Sequence, residues 1–118
     1  MIQRSLSAKV SEILDKYPIV SLTGPRQSGK TTLARMIRPD YQYVNLENLS
    51  TRAFAQEAPQ GFLETYQDGV IIDEAQHVPE LFSYLLVFTD ERKRKGEYIL
   101  TGPKVGKNTL FPDPIREN

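Results

Sequence analysis

Apolar positions change period several times along the chain, and each change marks an element. From Ser5 to Lys16, Leu6, Val10, Ile13 and Leu14 recur three or four apart, the spacing of one helix face, and Pro18 stops the run. Pro18-Ile19-Val20-Ser21-Leu22-Thr23 is a short, β-branched stretch that opens into Gly24-Pro25, which reads as a buried strand ending in a glycine turn. A helix is predicted over 30–38, closed by Pro39. Tyr41, Tyr43, Val44 and Leu46 pattern a second strand, Ser50-Thr51 caps a helix through Ala58, and a short helical piece follows over 60–66. Past the turn Gln67-Asp68-Gly69, Val70-Ile71-Ile72 reads as the third strand. Helical spacing returns over 79–91 in Leu81, Leu85, Leu86 and Phe88, and Tyr98-Ile99-Leu100-Thr101 reads as the fourth strand.

Strands therefore alternate with helices. That order predicts a parallel sheet between two helical layers, an α/β domain of the three-layer kind. After Gly102 the pattern fails: 103–118 holds three prolines and no sustained period, so the domain is read as 1–102 and the remainder as an irregular tail.

Composition narrows the picture only a little. The 118 residues suit one domain with one core. Fifteen basic residues balance fifteen acidic ones, so bulk charge points neither to nucleic acid nor to a membrane surface. Cysteine is absent, which excludes a disulfide framework and a thiolate metal site. With no apolar run of membrane-spanning length and no secretory pattern at Met1-Ile2-Gln3-Arg4-Ser5, a cytoplasmic location is expected.

The candidate chemistry lies at two strand ends. Gly24-Pro25-Arg26-Gln27-Ser28-Gly29-Lys30-Thr31 fits G-x-x-x-x-G-K-[ST], between a predicted strand and a predicted helix, and Thr32 continues it. The glycines let successive N–H groups turn inward onto phosphate oxygens, and the helix start adds the positive end of its dipole. Lys30 is placed to reach the β- and γ-phosphates, and the Thr31 hydroxyl to ligate magnesium, which prefers hard oxygens. At the end of the third strand, Asp73 is placed to hold magnesium through water and Glu74 to accept a proton from the water attacking the γ-phosphate. ATP with Mg²⁺ is the expected ligand pair, and Glu74 and Lys30 the expected catalytic residues.

Other features read more blandly. His77 has no companion ligand nearby in sequence and is taken as a surface or capping residue. Glu91-Arg92-Lys93-Arg94-Lys95 is read as a solvated charge run, and Tyr41, Tyr43, Phe62, Phe82 and Phe88 as core and sheet-face aromatics. Leu100 to Leu110 echoes the phosphate loop but is one residue short between its glycines, carries Asn108 where the hydroxyl belongs, and runs into Phe111-Pro112-Asp113-Pro114. A helicase lobe, suggested by Asp73-Glu74-Ala75-Gln76, lacks a second lobe and a basic strand-binding groove.

Taken together, residues 24–33, Tyr43-Val44-Asn45-Leu46-Glu47, Gly69 to Gln76 and Ile99-Leu100-Thr101-Gly102 resemble the N-terminal AAA+ ATPase core of prokaryotic ATP-binding proteins that carry a C-terminal domain of unknown function. The resemblance implies a P-loop NTPase sheet with the fourth strand between the first and third, and a fifth strand beside the first. It also implies the roles above for Lys30, Thr31, Asp73 and Glu74. Relatives follow Ile-Leu-Thr-Gly with a polar Ser-Gln pair that senses the γ-phosphate, then an arginine-bearing segment; here Pro103-Lys104 stands in that place. The resemblance thus implies a truncated AAA+ core whose ATP hydrolysis is weak or absent. The alternative is a non-catalytic nucleotide-binding subunit, or gene fragment, that docks on a full-length relative. Expected partners are nucleotide, and either a second copy or such a relative; membrane and nucleic acid are not indicated.

Overall fold

The computed structural model describes residues 4–25 and 29–103. Four strands, β1 (Ile19–Thr23), β2 (Gln42–Asn45), β3 (Val70–Asp73) and β4 (Tyr98–Gly102), form one parallel sheet in the order β1-β4-β3-β2. The fourth strand thus lies between the first and third, as expected. Among the described residues β1 and β2 are the sheet edges. The helices are α1 (Arg4–Leu14), α2 (Lys30–Ile37), α3 (Leu49–Glu57), α4 (Pro59–Thr65) and α5 (Leu81–Arg92).

A strand's two-residue period sends alternate side chains to opposite faces, and here both faces are apolar. Val20, Leu22, Ile71 and Ile99 pack with Val10 and Leu14 of α1 and Leu33 and Ala34 of α2. Ile19, Val44, Val70, Ile72, Tyr98 and Leu100 pack on the other side with Ala55, Phe62, Leu63, Leu81 and Leu85 from α3, α4 and α5. A three-layer α/β architecture follows directly from that alternation.

Several local expectations need correction. Asn48, not Ser50 or Thr51, caps α3: its side chain accepts from the Thr51 backbone N–H at 3.0 Å. A single 3₁₀ turn over Ala75–His77 intervenes after β3, so α5 begins only at Leu81. In the charge run Glu91, Lys93, Arg94 and Lys95 are exposed as expected, but Arg92 is not part of a solvated face. Arg92 donates through Nε to both oxygens of the buried Glu97, at 3.1 and 3.0 Å, and through Nη1 to Gln67 at 2.8 Å. Arg94 pairs with Asp68, whose own N–H donates to Glu97 Oε2 at 3.0 Å. These groups tie the β3 and β4 approaches together at the amino end of the sheet. The tail beyond Pro103 and most of the loop echo lie outside the described residues.

Candidate functional site

Because all four strands run the same way, their carboxyl ends share one edge of the sheet. The ladder extends one residue beyond the strands: the Gly24 N–H donates to the Gly102 carbonyl at 3.2 Å, and the Leu46 N–H to the Asp73 carbonyl at 3.0 Å. The first glycine of the loop is thereby fixed against the tip of β4.

The loop ends at Gly29, whose φ of 87° lies in the left-handed region, with open space where a Cβ would stand. Backbone conformation, not crowding, calls for glycine there; an L side chain would cost about 1–2 kcal/mol. The first helical bond runs from the Leu33 N–H to the Gly29 carbonyl at 2.8 Å. The amides of Lys30, Thr31 and Thr32 precede it, so α2 opens with donors that have no partner inside the helix. Lys30 Nζ donates to the Pro25 carbonyl at 3.0 Å, folding the ammonium back over the loop. Arg26, Gln27 and Ser28 lie outside the described residues.

Asp73 ends β3 and is 8% exposed. Thr101 Oγ1, from β4, donates to its Oδ1 at 2.6 Å, and the Tyr43 hydroxyl, from β2, donates to its Oδ2 at 2.5 Å. The two-residue period places all three on the face covered by α2, the helix that starts at the loop. Both carboxylate oxygens are therefore held by neutral donors, and among the described residues no cation pairs with Asp73. Burial, then the bond to Asp73 and its negative charge, push the Tyr43 hydroxyl up to about 12, so it stays a donor throughout the neutral range. Arg35 of α2 lies over the Tyr43 ring at 4.6 Å from its centroid.

Glu74 follows in a left-handed conformation, φ 56° and ψ 47°, rare for a side chain without the short polar reach of Asn or Asp. It too is 8% exposed, and its Oε1 accepts from Gln76 Nε2 at 2.7 Å. The strained residue aims the carboxylate off the strand and starts the 3₁₀ turn, the kind of backbone cost that accumulates at working sites.

Residues 16–110 match the family described as AAA domain. The chain belongs to that family. An uncharacterized protein of Mycobacterium bovis and one of Mycobacterium tuberculosis are each 32% identical to it over 103 residues. That alignment takes in 85% of this chain and 23% of each relative, so the chain spans about a quarter of the length of the curated relatives it matches. Family and fold together make this a nucleotide-binding core of the AAA type, built on a four-stranded parallel sheet with flanking helices.

Within this AAA domain the structure brings Gly24, Asp73 and Glu74 to one edge of the sheet, and sets Lys30 and Thr31 at the start of the helix on the same face as Asp73. Sequence reasoning missed three neighbours: Thr101, the Tyr43 hydroxyl and Gln76. Thr101 was legible in principle, since it closes the apolar run of β4 as Asp73 closes that of β3. Tyr43 and Gln76 depend on strand pairing and on a turn that no local pattern announces. His77 sits in the 3₁₀ turn with Nε2 buried. A groove of about 440 Å³ lies elsewhere, between α4 and α5, lined by Gln60, Leu63, Glu64, Tyr84, Val87 and Phe88 among others. It offers carboxylates and apolar surface rather than phosphate-binding donors. No helix among the described residues is long and apolar enough to cross a membrane.

Proposed function

We propose that this AAA domain binds ATP with Mg²⁺ across the edge formed by the loop and the end of β3, and hydrolyses it slowly or not at all. In this reading the backbone of Gly24 through Thr32 cradles the phosphates, and Lys30 leaves the Pro25 carbonyl for the β- and γ-phosphates. Thr31 and Asp73 would hold the magnesium, Asp73 through water, and Glu74 would accept a proton from the attacking water. The observation that carries it is Asp73: a buried carboxylate, held in place by two hydroxyls and paired with no cation among the described residues, at the strand end facing the start of α2. The magnesium would neutralise the developing phosphate charge when bound.

Weak turnover is supported by Gly102-Pro103 at the tip of β4, two described residues that carry no polar side chain to meet the γ-phosphate. The same observation favours a second reading, a subunit that binds nucleotide without turnover. Mg-ATP at a hundredfold excess over its dissociation constant should stabilise the fold by about 2.7 kcal/mol, read as a rise in Tm, and Lys30→Ala should remove most of it. Absence of any shift in the folded, unsubstituted chain refutes nucleotide binding. Steady-state turnover of several per second, on the order expected of fully assembled phosphoryl-transfer enzymes, refutes the weak-hydrolysis reading.

A further inference from the structure

Gln76 is a polar side chain at this edge that no role yet accounts for. Its amide bridges two parts of the site. Nε2 donates to Glu74 Oε1 at 2.7 Å, and Oε1 is buried without a partner. That orientation is set by chemistry, because an ionised carboxylate only accepts and the flipped amide would set oxygen against oxygen. The carbonyl end lies against Gly102: a Cβ built on Gly102 would stand 2.6 Å from Gln76 Oε1 and 3.8 Å from the Ala75 nitrogen. Gly102 has an ordinary strand backbone, so space for this amide is what the glycine provides. Gly102 in turn accepts the Gly24 N–H, which joins the amide's seat to the first residue of the phosphate loop.

We infer that Gln76 is a positioning residue for Glu74, acting from the turn after β3 against the tip of β4 at Gly102. The inference rests on the nucleotide reading above. Its amide fixes the carboxylate by one hydrogen bond, and its unpartnered carbonyl, seated on the strand tip beside the loop, is the acceptor for a hydrogen of the attacking water. A buried acceptor left unpaired is unfavourable, and a water in the assembled site relieves it. Gly102 is the void that admits the amide, so the two residues act as one unit.

Single-turnover hydrolysis, with the chain in excess over radiolabelled ATP and followed over hours, separates this role from binding. A fluorescent ATP analogue reports affinity in parallel. Gln76→Ala should leave affinity unchanged and slow turnover by about a hundredfold, the scale of a displaced catalytic group. Gln76→Glu, which keeps the shape but loses the donor, should do the same and serves if the alanine variant folds poorly. Gly102→Ala should slow turnover when Gln76 is present and add nothing in the Gln76→Ala background. An unchanged rate in Gln76→Ala, full additivity with Gly102→Ala, or ATP binding in the unsubstituted chain without any turnover overturns the positioning role while leaving nucleotide binding intact. Loss of binding in the unsubstituted chain, or binding indifferent to Lys30→Ala, overturns the nucleotide reading itself.

Discussion

Two buried carboxylates stand at opposite ends of neighbouring strands, and they are treated differently. Glu97, just before β4 and 3% exposed, is gripped by the Arg92 guanidinium, with Nη2 at 2.8 Å from Oε2 and Nε donating to both oxygens. Asp73, at the end of β3, has among the described residues the hydroxyls of Tyr43 and Thr101. A buried ion pair whose charges cancel has nothing left to offer a ligand; it locks two segments together. A buried carboxylate held by neutral donors keeps its charge available to a cation that arrives later. The amino end of the sheet is thus finished chemistry and the carboxyl end is open chemistry, although both carboxylates are hidden to a similar degree.

The comparison breaks most visibly at Arg92. Arg92→Ala leaves the buried Glu97 with only the more exposed Arg94, 4.0 Å from Oε2, as counter-charge and should cost about 3 kcal/mol in chemical denaturation. Asp73→Asn should cost far less, about 1 kcal/mol or below, because an amide oxygen still accepts from a hydroxyl and a buried charge is removed. The same variant should lose the magnesium-dependent part of the ATP-induced Tm shift and keep the part measured in EDTA. If Asp73→Asn destabilises the apo fold as much as Arg92→Ala, then Asp73 is a structural carboxylate and the contrast collapses.

The smallest effect sharpens the amino end. Tyr98 is fully buried beside Glu97, with a hydroxyl that has no partner, so Tyr98→Phe should stabilise the fold at neutral pH by about 1 kcal/mol. Burial, and then the negative charge of Glu97, raise the Tyr98 hydroxyl well above its ordinary value of 10.0. A folded-state value above the unfolded one means stability present below pH 10 and lost as pH rises beyond it. Tyr43, raised to about 12, adds a second loss across the same alkaline range. Denaturation between pH 9 and pH 11 should therefore show a falling stability whose slope is reduced in Tyr98→Phe; an unaltered slope places the alkaline loss elsewhere.

The elements that carry the site were largely legible, because each depends on local pattern. The β-branched run ending in Gly24, the apolar run ending in Asp73 and the loop-to-helix transition at Gly29-Lys30 all stand in contiguous residues. Strand order came from resemblance to a family, since no local pattern says that β4 inserts between β1 and β3. Arg92 was misread for a related reason: in sequence it belongs to a run of charges, and only the pairing of β3 with β4 sets Asp68 and Glu97 around it. Asn48 was overlooked as a cap because Ser50 and Thr51 compete for the same task two and three residues later. Tyr43 has the composition of a sheet aromatic and packs partly as one; its role lies in a single oxygen atom.

The strand order also sets a sequence of events in time. β1, made first by the ribosome, has β4 as its described neighbour, with Ile19 opposite Tyr98, and must wait for nearly the whole domain before it can pair. β2, β3 and their helices close shorter loops, which makes them the natural place for folding to begin, and the β1–β4 ladder bears the larger closure entropy. Gly24, the first residue of the proposed phosphate loop, is fastened to Gly102 by that last ladder and is set in place only when the late step is complete. On the proposed function, nucleotide is then a ligand of the finished sheet alone: it should slow unfolding and give no speed to the early steps of folding.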